Sequence, residues 1–300
     1  MRSVRPIPPP RHPLLPGGTL LVAAFTWGVI WYPYRLLEQA QVSGALATFA
    51  TYAVALGCAL PFLYRQTLAH RRRWPGLLAV ALASGWTNLA YVLAVLQGEI
   101  MRVMLLFYLA PLWTIVFARL ILGERPHLMG YLVIGLSLAG AVTMLHTGDG
   151  RLPLPDDAAE WLALSAGVGF ALANVLSHRI RDVPIGTRSV WVFAGVLVVA
   201  AFPVLSVGGT AYTLAGLDAG SWLLITAIGL ALMLATLSVQ YGLAHTPAMQ
   251  AIVILLTELV AAGLSSWWLA GEVMTGREWL GGAMIVAASL LSGKMEHKDG

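Results

Sequence analysis

The sequence predicts an all-α polytopic membrane protein, with ten transmembrane helices arranged as two inverted five-helix repeats. Three observations carry this. Of 300 residues, 58% are hydrophobic and only 11% charged, against roughly 25% charged in a soluble chain, and mean hydropathy is +0.78. Such a chain cannot cover a globular surface with polar groups. Apolar runs of about the ~20 residues a span needs recur ten times along it. Finally, landmarks in the first half reappear at a fixed offset in the second.

The elements follow in order. Residues 1–17 read as a cytoplasmic tail, Pro-rich and carrying Arg2, Arg5 and Arg11. The tail resembles a signal-peptide n-region, but the run behind it is span-length and lacks a clear small-residue cleavage site. It reads as a retained helix. The first repeat, 18–145, holds Gly18–Leu37, Ala45–Tyr64, Trp74–Leu96, Arg102–Leu122 and Leu128–Leu145 (spans 1 to 5). Residues 146–160 form an extracytoplasmic linker. The second repeat, 161–292, holds Trp161–His178, Arg188–Leu205, Trp222–Leu243, Met249–Leu269 and Trp279–Ser292 (spans 6 to 10), and 293–300 form a cytoplasmic tail. Lipid cannot satisfy bare backbone, so these runs are helices. None alternates polar and apolar as barrel strands do.

Orientation follows from charge. With both termini inside, 14 of the 18 Lys and Arg lie on cytoplasmic segments, as the positive-inside rule requires. The outer four are Arg35, Arg102, Arg151 and Arg277. Arg35 and Arg102, with Arg119, stand at span ends, where long side chains snorkel. The net charge of +4 therefore reflects topology and gives no sign of nucleic-acid binding. Cys58 is the only cysteine, which excludes a disulfide framework and a Cys-based zinc site. Asp156, Asp157 and Glu160 have the spacing of a magnesium-binding cluster. The capping-box spacing of Asp157 and Glu160 at the start of span 6 is the better account.

An offset of 148 places Trp74 on Trp222, Met101 on Met249, Gly123-Glu124 on Gly271-Glu272 and Tyr131-Leu132 on Trp279-Leu280. Spans 3–5 thus repeat as spans 8–10 and, by extension, 1–5 as 6–10. Five is odd, so the second half lies upside down relative to the first. Inverted repeats of this kind underlie many secondary transporters.

The stretch Tyr108-Leu-Ala-Pro-Leu-Trp-Thr114, then Leu122-Gly-Glu124, the glycine-punctuated span 5 and the second-copy Leu269-Ala-Gly-Glu272 resemble the drug/metabolite transporter superfamily, EamA type. Within it, the span 4 stretch and the aromatic-rich spans 1, 3 and 4 look most similar to YddG-like amino-acid exporters. The resemblance implies a secondary-active exporter of amino acids, aromatic and other neutral ones included, and related metabolites. It would work by alternating access through a central cavity in the bacterial cytoplasmic (inner) membrane, N-in and C-in, and would not be an enzyme. The second copy departs from the pattern, with Leu259 where span 4 has Pro111 and Glu258 where it has Ala110.

Glu258 is the acidic residue lying well inside a span. A carboxylate there is costly unless it faces water, a partner or a proton. It could bind a substrate ammonium, carry a coupling proton, or pack protonated between helices. Trp27, Trp31 and Tyr34, at i, i+4 and i+7, share one face of span 1. Trp86, Asn88 and Tyr91 cluster in span 3, Tyr108 and Trp113 in span 4, Asn174 and His178 in span 6, and Gln240 and Tyr241 in span 8. Aromatic walls with a few polar groups suit an amphipathic solute, and aromatic faces shield an ammonium. Packing is the competing account for each aromatic. Trp74, Trp161, Trp222 and Trp279 begin their spans and read as interface anchors. Pro33 and Pro111 each remove a backbone donor inside a span and are candidate hinges or kinks.

Deep cations for phosphate esters are absent from the sequence, as are a P-loop, an HExxH and a nucleophile elbow. No cofactor and no metal are expected. The expected partners are a small-molecule substrate and the lipid bilayer, with proton coupling open. A lipophilic-cation drug exporter is the alternative reading, and an intramembrane enzyme a remote one.

Overall fold

The computed structural model describes residues 15–123, 128–146, 154–206, 216–246 and 254–296. Outside these lie most of the N-terminal tail, half of the C-terminal one, Glu124, residues 147–153 of the acidic linker and the expected start of span 9 at Met249.

All regular structure among the described residues is helical. In chain order the helices are α1 (Leu15–Val29), α2 (Trp31–Gln39), α3 (Gly44–Ala69), α4 (Trp74–Gln97), α5 (Ile100–Phe107) and α6 (Ala110–Phe117). They continue with α7 (Leu128–Leu145), α8 (Ala158–Arg179), α9 (Ile185–Ser206), α10 (Ala219–His245), α11 (Thr257–Ala270) and α12 (Gly276–Glu296). Eight segments among the described residues are long and apolar enough to cross a membrane, with α1–α2 counting as one and Ile100–Leu122 as another. They coincide with expected spans 1 to 8. α11 and α12 occupy the expected positions of spans 9 and 10.

Three helices, α3, α8 and α10, start at a side-chain cap. Ser43, Asp157 and Asp218 accept from the amides of Leu46, Glu160 and Ser221, which satisfies orphan donors of the first turn. The Asp157 cap starts α8 at Ala158, ahead of the expected Trp161. Glu160 returns a bond to the Asp156 amide at 2.9 Å, so the capping account of this cluster holds. Gly123 and Gly271, one offset of 148 apart, both take left-handed φ, 75° and 68°. Each ends its helix as a C-terminal glycine does.

Spans 1 and 4 are not continuous helices. Span 4 was expected as one helix from Arg102. It begins at Ile100 and breaks at Tyr108–Leu109. Pro111 has no amide to give the Phe107 carbonyl, so the ladder fails one turn earlier. Pro33 interrupts span 1 at Ile30 in the same way, and the Tyr34 amide reaches the Ile30 carbonyl only at 3.4 Å. α11 starts after a turn at Leu256, the residue 148 beyond Tyr108, although no proline stands there.

In the packed bundle α4 lies against α8 and α9, α3 against α9 and α10, and α1 against α10 and α11. α5 and α6 lie against α8, and α7 pairs with α12. Expressed as spans, adding or subtracting five converts this set of neighbours into itself. Glycines allow the backbones to touch. A Cβ on Gly85 would stand 2.6 Å from the Gly195 carbonyl oxygen, and one on Gly140 2.7 Å from that of Gly281. Close approach of this kind is how helices associate where lipid removes the hydrophobic drive. Outward surfaces are apolar, with Phe62, Phe202, Leu223 and Trp268 exposed. Trp74, Trp161, Trp222 and Trp279 are exposed at helix starts, as anchors would be.

Candidate functional site

The two broken helices that face each other bring Glu258 and Tyr108 together. The Tyr108 hydroxyl donates to Glu258 Oε2 at 3.0 Å and lies 3.5 Å from the Leu255 carbonyl oxygen. Because span 9 is interrupted at Leu256, Glu258 stands in the first turn of α11 rather than in mid-helix. Unpaired amides and the positive end of the helix dipole favour a carboxylate there. The ion pairs formed among the described residues all lie elsewhere. Glu258 is a half-buried acid whose hydrogen-bond partner among them is a neutral phenol.

Glycines of the opposite half approach both breaks. A Cβ on Gly28 of α1 would lie 2.6 Å from the Glu258 carbonyl oxygen, and one on Gly167 of α8 2.7 Å from that of Phe107. Phe107 is the residue whose carbonyl Pro111 leaves free. Its ring lies 5.9 Å from Tyr108, 5.7 Å from Tyr91 and 5.3 Å from Phe170. Tyr91 is buried and donates to Met104 Sδ at 3.1 Å. Phe170 is exposed on α8, and so is Asn174 one turn further on. A line of rings thus runs from the exposed face of α8 to the acid.

The other predicted residues fall into three environments. Trp31 and Asn88 spend their polar atoms within the protein. Trp31 is 1% exposed and donates to Ser265 Oγ at 3.0 Å. Asn88 donates to the Ser84 carbonyl at 2.8 Å and accepts from the Tyr52 hydroxyl. Trp27 and Trp113 are half-buried against the core, and Trp113 Nε1 is buried without a hydrogen bond among the described residues. Trp86 is exposed and donates to Ser165 Oγ at 3.2 Å. His178 is exposed at the end of α8, and Gln240 and Tyr241 are half-buried on α10. The Tyr241 ring stacks on His245 at 4.4 Å.

Sequence reasoning missed a second polar cluster, at the end of the bundle away from the chain's N-terminus. Arg35 and Arg102 do not snorkel. Arg35 donates to the Val95 and Gly98 carbonyls at 3.2 and 2.9 Å, lies over the Trp31 ring, and pairs with Glu272 at 3.7 Å. Arg102 pairs with Glu160 at 2.6 Å and Glu278 at 3.9 Å. Glu272 also accepts from the Ile100 amide at 2.9 Å, capping α5 from the other half. Burial holds its carboxyl above the ordinary range, against the bonds from Ile100 and Arg35. A cavity of about 310 Å³ lies among these groups.

Apolar exterior, span-length helices, backbone-close crossings and broken helices meeting at a deep acid define a polytopic membrane protein of transporter type. The EamA-like transporter family model matches residues 18–145 and again 158–293, and the chain belongs to that family, within the drug/metabolite transporter superfamily. A protein of Archaeoglobus fulgidus described as an uncharacterized transporter is 28% identical over 236 residues, 78% of this chain and 80% of that protein. Protein RarD of Escherichia coli K12 is 26% identical over 166 residues, 53% of each chain. A solved structure with 18% sequence identity superposes with a TM-score of 0.59, covering 95% of this chain and 98% of the other. That likeness concerns the fold.

Proposed function

We propose that this transporter is a secondary-active exporter of amino acids and related amphipathic solutes, working by alternating access between two inverted five-helix halves, with Glu258 at its centre. The ten-span count, with 18–145 and 161–292 as halves, is supported by the double family match. The neighbour pattern that survives exchange of the halves and the recurrent break at Tyr108 and Leu256 point the same way. Placement in the bacterial inner membrane with both termini inside rests on the charge count of the sequence.

One observation carries the site. Glu258 lies at the break in span 9 with a phenol as its partner and no fixed cation beside it among the described residues. A deep acid without a fixed counter-ion, steadied only by a helix start, is suited to a mobile one, either a proton or a substrate ammonium. Broken helices present free amides and carbonyls to such a ligand, and the Tyr91–Phe107–Tyr108 rings supply faces for an ammonium or an aromatic side chain. The remaining predicted groups, Trp27, Trp86, Trp113, Asn174, His178, Gln240 and Tyr241, are proposed to line the path. Pro33 and Pro111 mark the hinges.

The lack of a fixed cation also favours a second reading, a lipophilic-cation exporter, because the carboxylate of a zwitterion finds no guanidinium at this depth. Counterflow of radiolabelled threonine, methionine and phenylalanine into proteoliposomes tests both, beside Glu258→Gln and Tyr108→Phe. Saturable exchange lost in Glu258→Gln is the expected result. Exchange retained in that variant would remove Glu258 from the path. No exchange of any amino acid by folded protein, with uptake of a lipophilic cation, would install the second reading.

A further inference from the structure

The two halves meet at one end through ion pairs, and each pair crosses between them. Arg35 belongs to the first half and its partner Glu272 to the second. Arg102 belongs to the first half, and its partners Glu160 and Glu278 stand in the first turns of α8 and α12, the first and last helices of the second half. Glu272 reaches across again to the Ile100 amide. Glu160 is 5% exposed, and it pairs with an Arg102 side chain that is itself three-quarters covered. At the opposite end the cross-half ion pair among the described residues is Arg73–Asp182, at 2.6 Å, and both side chains are more than half exposed. An exposed pair contributes little, whereas a buried one is costly to break on one side only.

We propose that Arg35–Glu272 and the Glu160–Arg102–Glu278 triad form the extracytoplasmic gate of the transporter, and that the described conformation is the one in which this gate is shut. The proposal rests on the alternating-access reading above but names no substrate. Five elements contribute charges. α2 and α5 lend arginines, while the start of α8, the segment joining α11 to α12 and the first turn of α12, which carries Glu278, lend carboxylates. When the halves rock apart, every pair must separate, and each charge then finds water instead of its partner. The cavity among these groups is the vestibule left above the closed contact.

Leu105 reports on the gate. It is 2% exposed, lines a smaller cavity of about 40 Å³, and lies one helical turn deeper than Arg102. In a background with Cys58→Ser, Leu105→Cys in detergent-solubilised protein is treated with a hydrophilic maleimide. No substrate is present and both ends face solvent, so the readout depends on neither substrate identity nor orientation. Failure of the amino-acid reading therefore leaves it interpretable. Labelling is expected to be slow in the otherwise native chain. Arg102→Ala, which strands Glu160, is expected to speed it at least tenfold. Arg102→Met combined with Glu160→Gln and Glu278→Gln removes all three charges of the triad and is expected to return it most of the way. Should Arg102→Ala fail to fold, Glu160→Gln carries the test, because it keeps the side-chain size and leaves Arg102 its second partner, and labelling must still rise severalfold. A rate unchanged in a folded single variant, or rapid labelling in the native chain, would overturn the gate.

Discussion

Gly167→Ala probes the contact on which the site depends. A methyl added to Gly167 would stand 2.7 Å from the Phe107 carbonyl oxygen and 3.3 Å from its carbon and Cα. All three are backbone atoms, so no rotamer relieves the overlap. Reaching an ordinary contact near 3.4 Å requires a shift of roughly 0.7 Å between α8 and the break in span 4. Overpacking of this kind costs about 1–3 kcal/mol, which corresponds to a fall in melting temperature on the order of 2–10 °C. The shift falls on the residue before Tyr108, so counterflow should drop with it. Gly57→Ala is the control. Gly57 lies within α3 with nothing inside 4 Å of the added methyl, and helix propensity alone favours alanine there by up to about 1 kcal/mol. Gly57→Ala should hold or raise the melting temperature with transport intact. If Gly167→Ala matches it in both assays, α8 does not touch the Phe107 carbonyl and the site geometry is wrong.

Two further predictions follow from buried polar contacts. Tyr52→Phe removes the donor to Asn88 Oδ1 and leaves that oxygen unmatched between α3 and α4. The cost is about 1–3 kcal/mol, read as a lower melting temperature that Tyr52→Phe with Asn88→Leu partly restores. Glu272, facing Arg35, Glu99 and the amides of Ile100 and Met101, has a carboxyl raised above its ordinary value of 4.5. A raised value means that the shut form holds the proton more tightly than a hydrated open form. The resulting stabilisation of the gate is full below about 4.5 and is lost as pH rises through the raised value. Labelling of Leu105→Cys, corrected for maleimide reactivity, should therefore be slower at pH 5 than at pH 7. That difference should shrink in Glu272→Gln, and acceleration by acid in the native chain would contradict it.

Spans 1 to 8 were legible in the sequence because lipid leaves the backbone one economical solution, and a long apolar run announces it. The breaks at Ile30 and Tyr108 were legible through Pro33 and Pro111. The break at Leu256 was not, because Leu259 replaces the proline, and only the offset of 148 from Tyr108 pointed to it. Glu258 stood out by its depth, but its position at a helix start depended on that hidden break. Trp31 and Asn88 looked like cavity groups because residue type and depth are the same for a wall and for a packed contact. What separates them is the partner on a distant helix, Ser265 or Tyr52, which no local pattern reveals. The ion-pair cluster did leave a trace. Arg35, Arg102 and Arg277 are among the four cations that stand against the charge bias. Each is held by protein groups, Arg277 by the His146 carbonyl at 2.9 Å. A cation on the disfavoured side of a membrane protein is therefore better read as engaged than as snorkelling.

The gate and the deep acid are joined by short rigid elements. α5 carries Arg102 in its first turn and ends at Phe107, directly before Tyr108. Its eight residues span about 12 Å. α11 carries Glu258 in its first turn and ends two residues before Glu272. A helix held by its full ladder does not stretch, so separation of Arg102 from Glu160 displaces Tyr108, and separation of Glu272 from Arg35 displaces Glu258. The Tyr108–Glu258 bond sits where these two levers meet, beside the breaks that let them tilt. Opening the gate then alters the partner available to Glu258. Conversely, a cation bound at Glu258 in place of the phenol loosens the tie between the levers. Coupling between ligand and gate needs no further element, because α5 runs from the ion pairs to Tyr108 and α11 runs from Glu258 back to them.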